Sequence, residues 1–236
     1  MKTSHTIFGG LIFICLLVPA LGDGTWEIPY RDREIRMDGV LDEWEGVPYL
    51  EISPEATSLH SSGAFSPDDV RLKARAFWDE TRLYLALEWM DDVWDIENIR
   101  RQDAVWIGSD GRRRDRMLFS DNLKLHIRET DYDYILWVSP RVEDRGPYFW
   151  NRLLLGYQGM ERASAAPFIS ARDHGDRVTI EIQFSWDSLR RRAREGTEFP
   201  VTFILADSDS PGALLESKLL NLKWLAWRGQ AVLTRP

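Results

Sequence analysis

The chain has 236 residues, 44% of them hydrophobic, a formal net charge of −8 and a single cysteine. An acidic chain is a poor partner for nucleic acid or an anionic lipid surface. One cysteine excludes disulfides and cysteine-ligated metal within the chain.

Residues 1–22 read as a secretory signal peptide. Lys2 is the only charge before Asp23, Ile7 to Val18 is almost wholly apolar, and Ala20 and Gly22 are small residues suited to a cleavage site. The apolar run is shorter than the ~20 residues of a spanning helix. The expectation is cleavage near Gly22, export to the periplasm or the medium, and a mature chain 23–236 with no membrane span. Cys15 lies inside the signal.

The mature sequence shows no linker, repeat or low-complexity stretch, so it reads as one domain. Ile35 to Leu41 reads as a strand entering a turn at Asp38-Gly39, followed by a short helical turn at Leu41 to Trp44. Tyr49 to Ile52 reads as a short strand and Glu55 to Ser66 as a polar loop. From Val70 to Asp92, apolar residues alternate on both sides of a polar break at Asp79-Glu80: Val70, Leu72, Ala74, Ala76 and Trp78, then Leu83, Leu85, Leu87 and Trp89. Period-two alternation predicts two antiparallel strands, each burying one face. Asp91 to Ser120 reads as a long irregular loop holding Trp94 and Trp106, and loops of that length are usually functional or disordered.

Further strands are predicted at Asn122 to Arg128, Tyr132 to Val138, Tyr148 to Tyr157, Arg177 to Phe184 and Val201 to Ala206. Ser185 to Arg194 reads as helical turns. Leu222 to Trp227 and Ala231 to Thr234 read as two strands about a turn at Gly229. Some ten short strands predict an all-β, two-sheet antiparallel sandwich of jelly-roll-like form.

Four ordered signatures resemble the carbohydrate-binding module family 9-like (DOMON-like) domain. They are Ile35 to Trp44 (IRMDGVLDEW), Trp78-Asp79-Glu80 with Leu83-Tyr84-Leu85, Asp121 to Leu125 (DNLKL), and Ile180 to Leu189 (IEIQFSWDSL). Phe203 to Asp209 resembles the family's late strand. The resemblance covers nearly the whole mature chain. It implies a non-catalytic sandwich that recognises a polysaccharide or oligosaccharide and accompanies polysaccharide-degrading enzymes or envelope proteins. The family's sugar-binding members hold the sugar between two tryptophans, with a glutamate on the third signature. Here Lys124 stands in that glutamate's place, and Trp224 and Trp227 precede a C-terminal glycine as the second tryptophan does.

All eleven tryptophans lie beyond the signal. An aromatic face accepts the apolar face of a sugar ring while polar side chains take the hydroxyls. The candidate ligand-binding residues are Trp106, Trp224, Trp227, Trp94 and Lys124. Trp44, Trp78, Trp89, Trp137 and Trp186 read as core. Asp91, Asp92, Asp207 and Asp209, clustered after strands, are candidate ligands for calcium, a hard cation that takes oxygen donors. The arginine runs at 112–116 and 190–194 read as solvated surface. No catalytic motif is present, and the expectation is that the chain is not an enzyme.

Two alternatives stand beside carbohydrate binding. Related sandwich domains carry a b-type haem held by methionine with lysine or histidine, for which the resemblance offers Met90, Met117, Met160, Lys124, Lys218 and His126. The other is an interaction or structural domain without a small ligand.

Overall fold

The computed structural model describes residues 24–57, 59–61, 65, 69–95, 105–107, 113–115, 120–128, 133–139, 148–154, 160–161, 166–209 and 222–235. Of these, 105–107, 113–115, 148–154 and 160–161 are described as backbone course only.

The chain forms two packed antiparallel sheets, with one parallel strand pair at an edge. In chain order the strands are β1 (Gly24–Pro29), β2 (Tyr49–Ile52), β3 (Leu59–His60), β4 (Arg71–Trp78), β5 (Arg82–Met90), β6 (Val105–Ile107), β7 (Arg113–Asp115) and β8 (Asn122–Arg128). There follow β9 (Asp133–Ser139), β10 (Tyr148–Leu154), β11 (Met160–Glu161), β12 (Phe168–Asp173), β13 (Arg177–Ser185), β14 (Glu198–Asp207) and β15 (Lys223–Thr234). One sheet has eight strands in the order β1-β15-β14-β8-β9-β10-β11, with β3 also on β15. The second has five, β12-β13-β5-β4-β2, and β6 with β7 makes a separate hairpin. Among the described residues no helix is long and apolar enough to cross a membrane.

The alternating residues of β4 and β5 meet those of β8, β9, β13, β14 and β15 in one core. Leu72, Ala74, Trp78, Leu85 and Trp89 come from one sheet, and Leu123, Leu125, Tyr134, Phe203 and Trp227 from the other. A smaller apolar cluster lies on the far side of the five-stranded sheet. There Ile35, Trp44 and Val47 cover Phe77, Tyr84 and Ala86.

Several predicted elements take a different form. Ile35 to Leu41 is not a strand but an irregular segment that lays its apolar residues on Phe77 and Tyr84; burial there depends on tertiary contact, not on strand pairing. The helical turn after it is a 3-10 turn at Asp42–Trp44. The Asp91 to Ser120 region contains the β6–β7 hairpin, with Trp106 registered opposite Arg114. β15 runs through Gly229 without turning. A side chain at Gly229 would collide with the Gly24 carbonyl and the Trp227 ring, so glycine serves close packing there. β1 and β12, which carry weak alternation, are further strands.

The signature residues are the joints of this fold. Asp79 takes the backbone N–H groups of Thr81 (2.6 Å) and Arg82 (2.8 Å) on its carboxylate, closing the β4–β5 turn. Its carbonyl accepts the Trp186 indole N–H at 2.9 Å, so the second and fourth signatures meet. Asp121 takes the N–H groups of Asp95 (2.6 Å) and Ser208 (2.9 Å), tying the third signature to the end of β14.

Candidate functional site

Alternation along β8, β9, β14 and β15 leaves a second face on the eight-stranded sheet, turned away from the core. Lys124 registers between Trp137 of β9 and Ile204 of β14, and Ile204 registers with Ala226 of β15. Two residues along, Ala206 lies between Asn122 and Trp224. By strand spacing and rise, Lys124 and Trp224 are roughly 12 Å apart along the backbone. Most of this face is buried, but Lys124, Ile204, Trp224 and Arg228 keep part of their surface. They form one accessible strip across three strands.

Trp224 is held in register at the strand's margin. Its N–H donates to Ser61 Oγ (3.1 Å), and its carbonyl accepts the Ser61 N–H (2.8 Å). The Lys124 ammonium lies 4.6 Å from the centre of the Trp137 ring, a cation over an aromatic face. Trp137, read from sequence as core, is buried as expected, but on this second face and outside the central cluster. Its parity with Lys124 depends on register, which no local pattern displays. Trp150 registers opposite Trp137 on β10.

The other tryptophan candidates fall elsewhere. Trp227 is 3% exposed and makes edge contacts with Trp26 (6.5 Å) and tilted contacts with Phe203 (6.3 Å). A sugar would need a ring face that these neighbours occupy, so its place in the binding set is corrected to core. Trp94 packs on Trp89 at 5.6 Å and against the core, which makes it a plug at the sandwich end rather than a surface platform. The backbone of Trp106 lies in β6, away from the eight-stranded sheet's hydrogen-bonded path.

The acidic candidates do converge, at one end of the sandwich where both sheets terminate. Asp91, Asp92 and Asp209 bring carboxylate oxygens within 4.8 Å of one another, as do Asp91, Asp121 and Asp207, and Asp69, Asp207 and Asp209. Sequence reading named Asp91, Asp92, Asp207 and Asp209. It missed Asp69, which precedes β4, and Asp121, which opens β8. Lys223 is the cation on one side: its Nζ is 2.8 Å from Asp69, 2.6 Å from Asp209 and 3.5 Å from Asp207. Burial alone would lower the Lys223 pKa, but the hydrogen bonds to Asp209 and Asp69 outweigh it and keep the ammonium charged.

Away from Lys223 the cluster is short of positive charge. Burial pushes the Asp207 carboxyl up to about 8 and Asp91 up to about 7, with the neighbouring carboxylates adding to both. Asp121 is raised well above the usual range for the same first reason, burial. Both oxygens of Asp207 and Oδ2 of Asp91 are buried without a hydrogen bond. Buried carboxylates are otherwise paired or hold a metal. This donor set fits a hard cation such as calcium, which takes six to eight oxygens.

The haem candidates are not brought together. His126 and Lys124 lie on the outward face of the eight-stranded sheet, while Met90 ends β5 in the other sheet, registered between Arg71 and Arg177. His126 Nδ1 is 2.9 Å from Asp133 Oδ2. Met117 and Lys218 lie outside the described residues, and Met160 is described as backbone only.

No family model matches the sequence, and no curated protein matches it either. Solved structures do resemble the fold. A carbohydrate-binding module family 9 protein from Caldicellulosiruptor kristjanssonii, in complex with cellotriose, aligns with TM-score 0.57 and 14% identity over 90% of this chain and 94% of that one. The glucose complex from the same organism gives TM-score 0.55 and 13% identity over 90% and 96%. A Bacteroides uniformis protein whose proposed role is carbohydrate binding gives 0.59 and 9% over 89% and 99%. At such identities the likeness is one of fold: the chain has the β-sandwich fold of these carbohydrate-binding module family 9 structures.

Proposed function

We propose that this chain is an exported, non-catalytic carbohydrate-binding module. The carrying observation is that Trp224 and Lys124, far apart in sequence, share the accessible strip of one sheet face. Trp224 supplies a ring for stacking and Lys124 a donor for hydroxyl or ring oxygens, with Trp137 beneath the lysine. The structural neighbours that carry cellotriose and glucose support this reading. Trp106 remains a second candidate platform. The natural partners are a polysaccharide and the enzymes or envelope proteins that work on it.

The reading includes a calcium ion at the acidic end. Asp91, Asp207 and Asp121 would hold it, with Asp92 and Asp209 beside them, because Lys223 already neutralises the Asp69 side. The ion would tie the ends of β5, β8 and β14 together and thereby brace the strip from one end.

The test is a glycan array with purified chain 23–236, run with calcium and with chelator. Saturable binding lost in Trp224→Ala, with the fold retained, is the expected result. Silence of the wild type on neutral and acidic glycans alike would overturn the reading, and a Soret band in the same preparation would redirect it to electron transfer.

A further inference from the structure

The second arginine run does not lie flat on the surface. Leu189 is buried in the core, and Arg190 takes a left-handed backbone conformation (φ +52°) that residues bearing a Cβ rarely adopt. The turn is pinned by hydrogen bonds from Arg190 N to Asp187 O (3.0 Å) and from Arg191 N to Trp186 O (2.9 Å). The chain reverses there, and Arg191, Arg192 and Arg194 face Arg82 at the start of β5 across a hollow of about 440 Å³.

Uncharged groups hold two of these guanidinium groups in part. Arg191 Nη2 donates to the Arg128 carbonyl (2.6 Å), and its guanidinium lies 4.5 Å from the centre of the Phe199 ring. With its amide oxygen turned inward, Gln183 accepts from Arg82 Nε (3.1 Å) and Nη1 (2.6 Å). Among the described residues no carboxylate lies within ion-pair distance of Arg82, Arg192 or Arg194. Of the two acidic residues lining the hollow, Glu80 is bound by Tyr30 and Arg235, which leaves Asp187. The result is a concentrated positive charge on a chain whose net charge is −8. By contrast, the hollow beside Trp44 sets Arg75 and Arg177 against Asp42, Glu45 and Glu88, so acids outnumber arginines there.

We infer that the hollow between Arg82 and the 191–194 arginines is a binding site for the anionic groups of an acidic glycan, carboxylate or sulfate. A guanidinium fork matches either group with two parallel hydrogen bonds. The lining also includes the half-buried Ala193, while Trp186 closes the floor of the hollow as a core residue. The acidic remainder of the chain repels a dense polyanion such as nucleic acid, so a sparsely charged saccharide fits better. This site is on a different surface from Trp224 and stands whether or not that strip binds sugar.

The experiment is calorimetric titration of chain 23–236 with oligogalacturonate, with sulfated dextran oligomers and with neutral dextran oligomers of equal length, at two salt concentrations. Arg192→Ser/Arg194→Ser is the variant, because both side chains are exposed and make no ion pair among the described residues, and thermal unfolding checks that it folds. The expected result is binding of at least one acidic series, weakened at least tenfold in the variant, with the salt dependence reduced by about two released counterions. The arm that binds decides between carboxylate and sulfate. The inference is overturned if neither acidic series binds, if the variant binds the acidic series like wild type, or if the variant weakens neutral oligomers as much as acidic ones.

Discussion

Glu181 and Trp44, 137 positions apart in sequence, are joined by a buried hydrogen bond of 2.9 Å from the indole N–H to Oε1. The other oxygen of Glu181 accepts the Gly39 N–H at 2.6 Å. One carboxylate on β13 thus fastens the whole Ile35 to Trp44 segment onto the five-stranded sheet. Gly39 is itself constrained: its φ is +79°, and a Cβ would meet Arg172 Cβ at 2.8 Å.

Removing that carboxylate strands two buried donors. Each costs about 1–3 kcal/mol when left unsatisfied, so Glu181→Ala is expected to lose roughly 2–6 kcal/mol by urea unfolding. Gly39→Ala should destabilise by at least about 1 kcal/mol, through both φ and the Arg172 contact. A Glu181→Ala variant as stable as wild type would show that the segment is held by its apolar contacts alone.

The two C-terminal tryptophans should separate cleanly. Trp227→Ala opens a cavity in the core and is expected to cost about 3–5 kcal/mol. Trp224→Ala, on the half-exposed strip, should stay within about 1 kcal/mol of wild type and lose glycan binding instead. Paired thermal melts and binding isotherms check both.

Calcium removal should destabilise the chain. An ion at a hundred times its Kd adds about 2.7 kcal/mol, which is on the order of 5–10 °C in Tm for a domain of this size. Chelator should lower Tm by that amount, and Asp207→Asn should abolish the response while leaving the Lys223 pairs to Asp69 and Asp209. An unchanged Tm in chelator would remove the ion from the proposal.

Acidification should weaken the fold through His126. Burial first, and the charges of Lys124 and Arg128, lower its pKa against the opposing pull of Asp133. The folded state therefore binds its proton later than the unfolded chain does, and stability is complete above about 6.5 and declines as the pH falls through the folded value. An NMR titration of the His126 ring should show a midpoint below 6.5. In His126→Gln, stability should fall less between pH 7.5 and 5 than in wild type.

The alternating runs made the architecture legible before any coordinates. Period two is a property of the strand itself, so Arg71–Trp78, Arg82–Met90, Asn122–Arg128 and Arg177–Ser185 could be read locally, and with them a β-sandwich. The acidic residues at strand ends could be named because strand ends collect at the ends of a sandwich. Register and parity between distant strands are not written in any local pattern. Tertiary structure alone decided that Trp137 faces outward with Lys124 while Trp227 faces inward, that Asp69 and Asp121 join Asp91 and Asp207, and that Arg82 closes a hollow with Arg191, Arg192 and Arg194. A side chain's neighbours within a strand follow from geometry two residues long. Its neighbours across strands follow from which apolar faces the whole chain can bury at once, and that balance settles only when both sheets are packed.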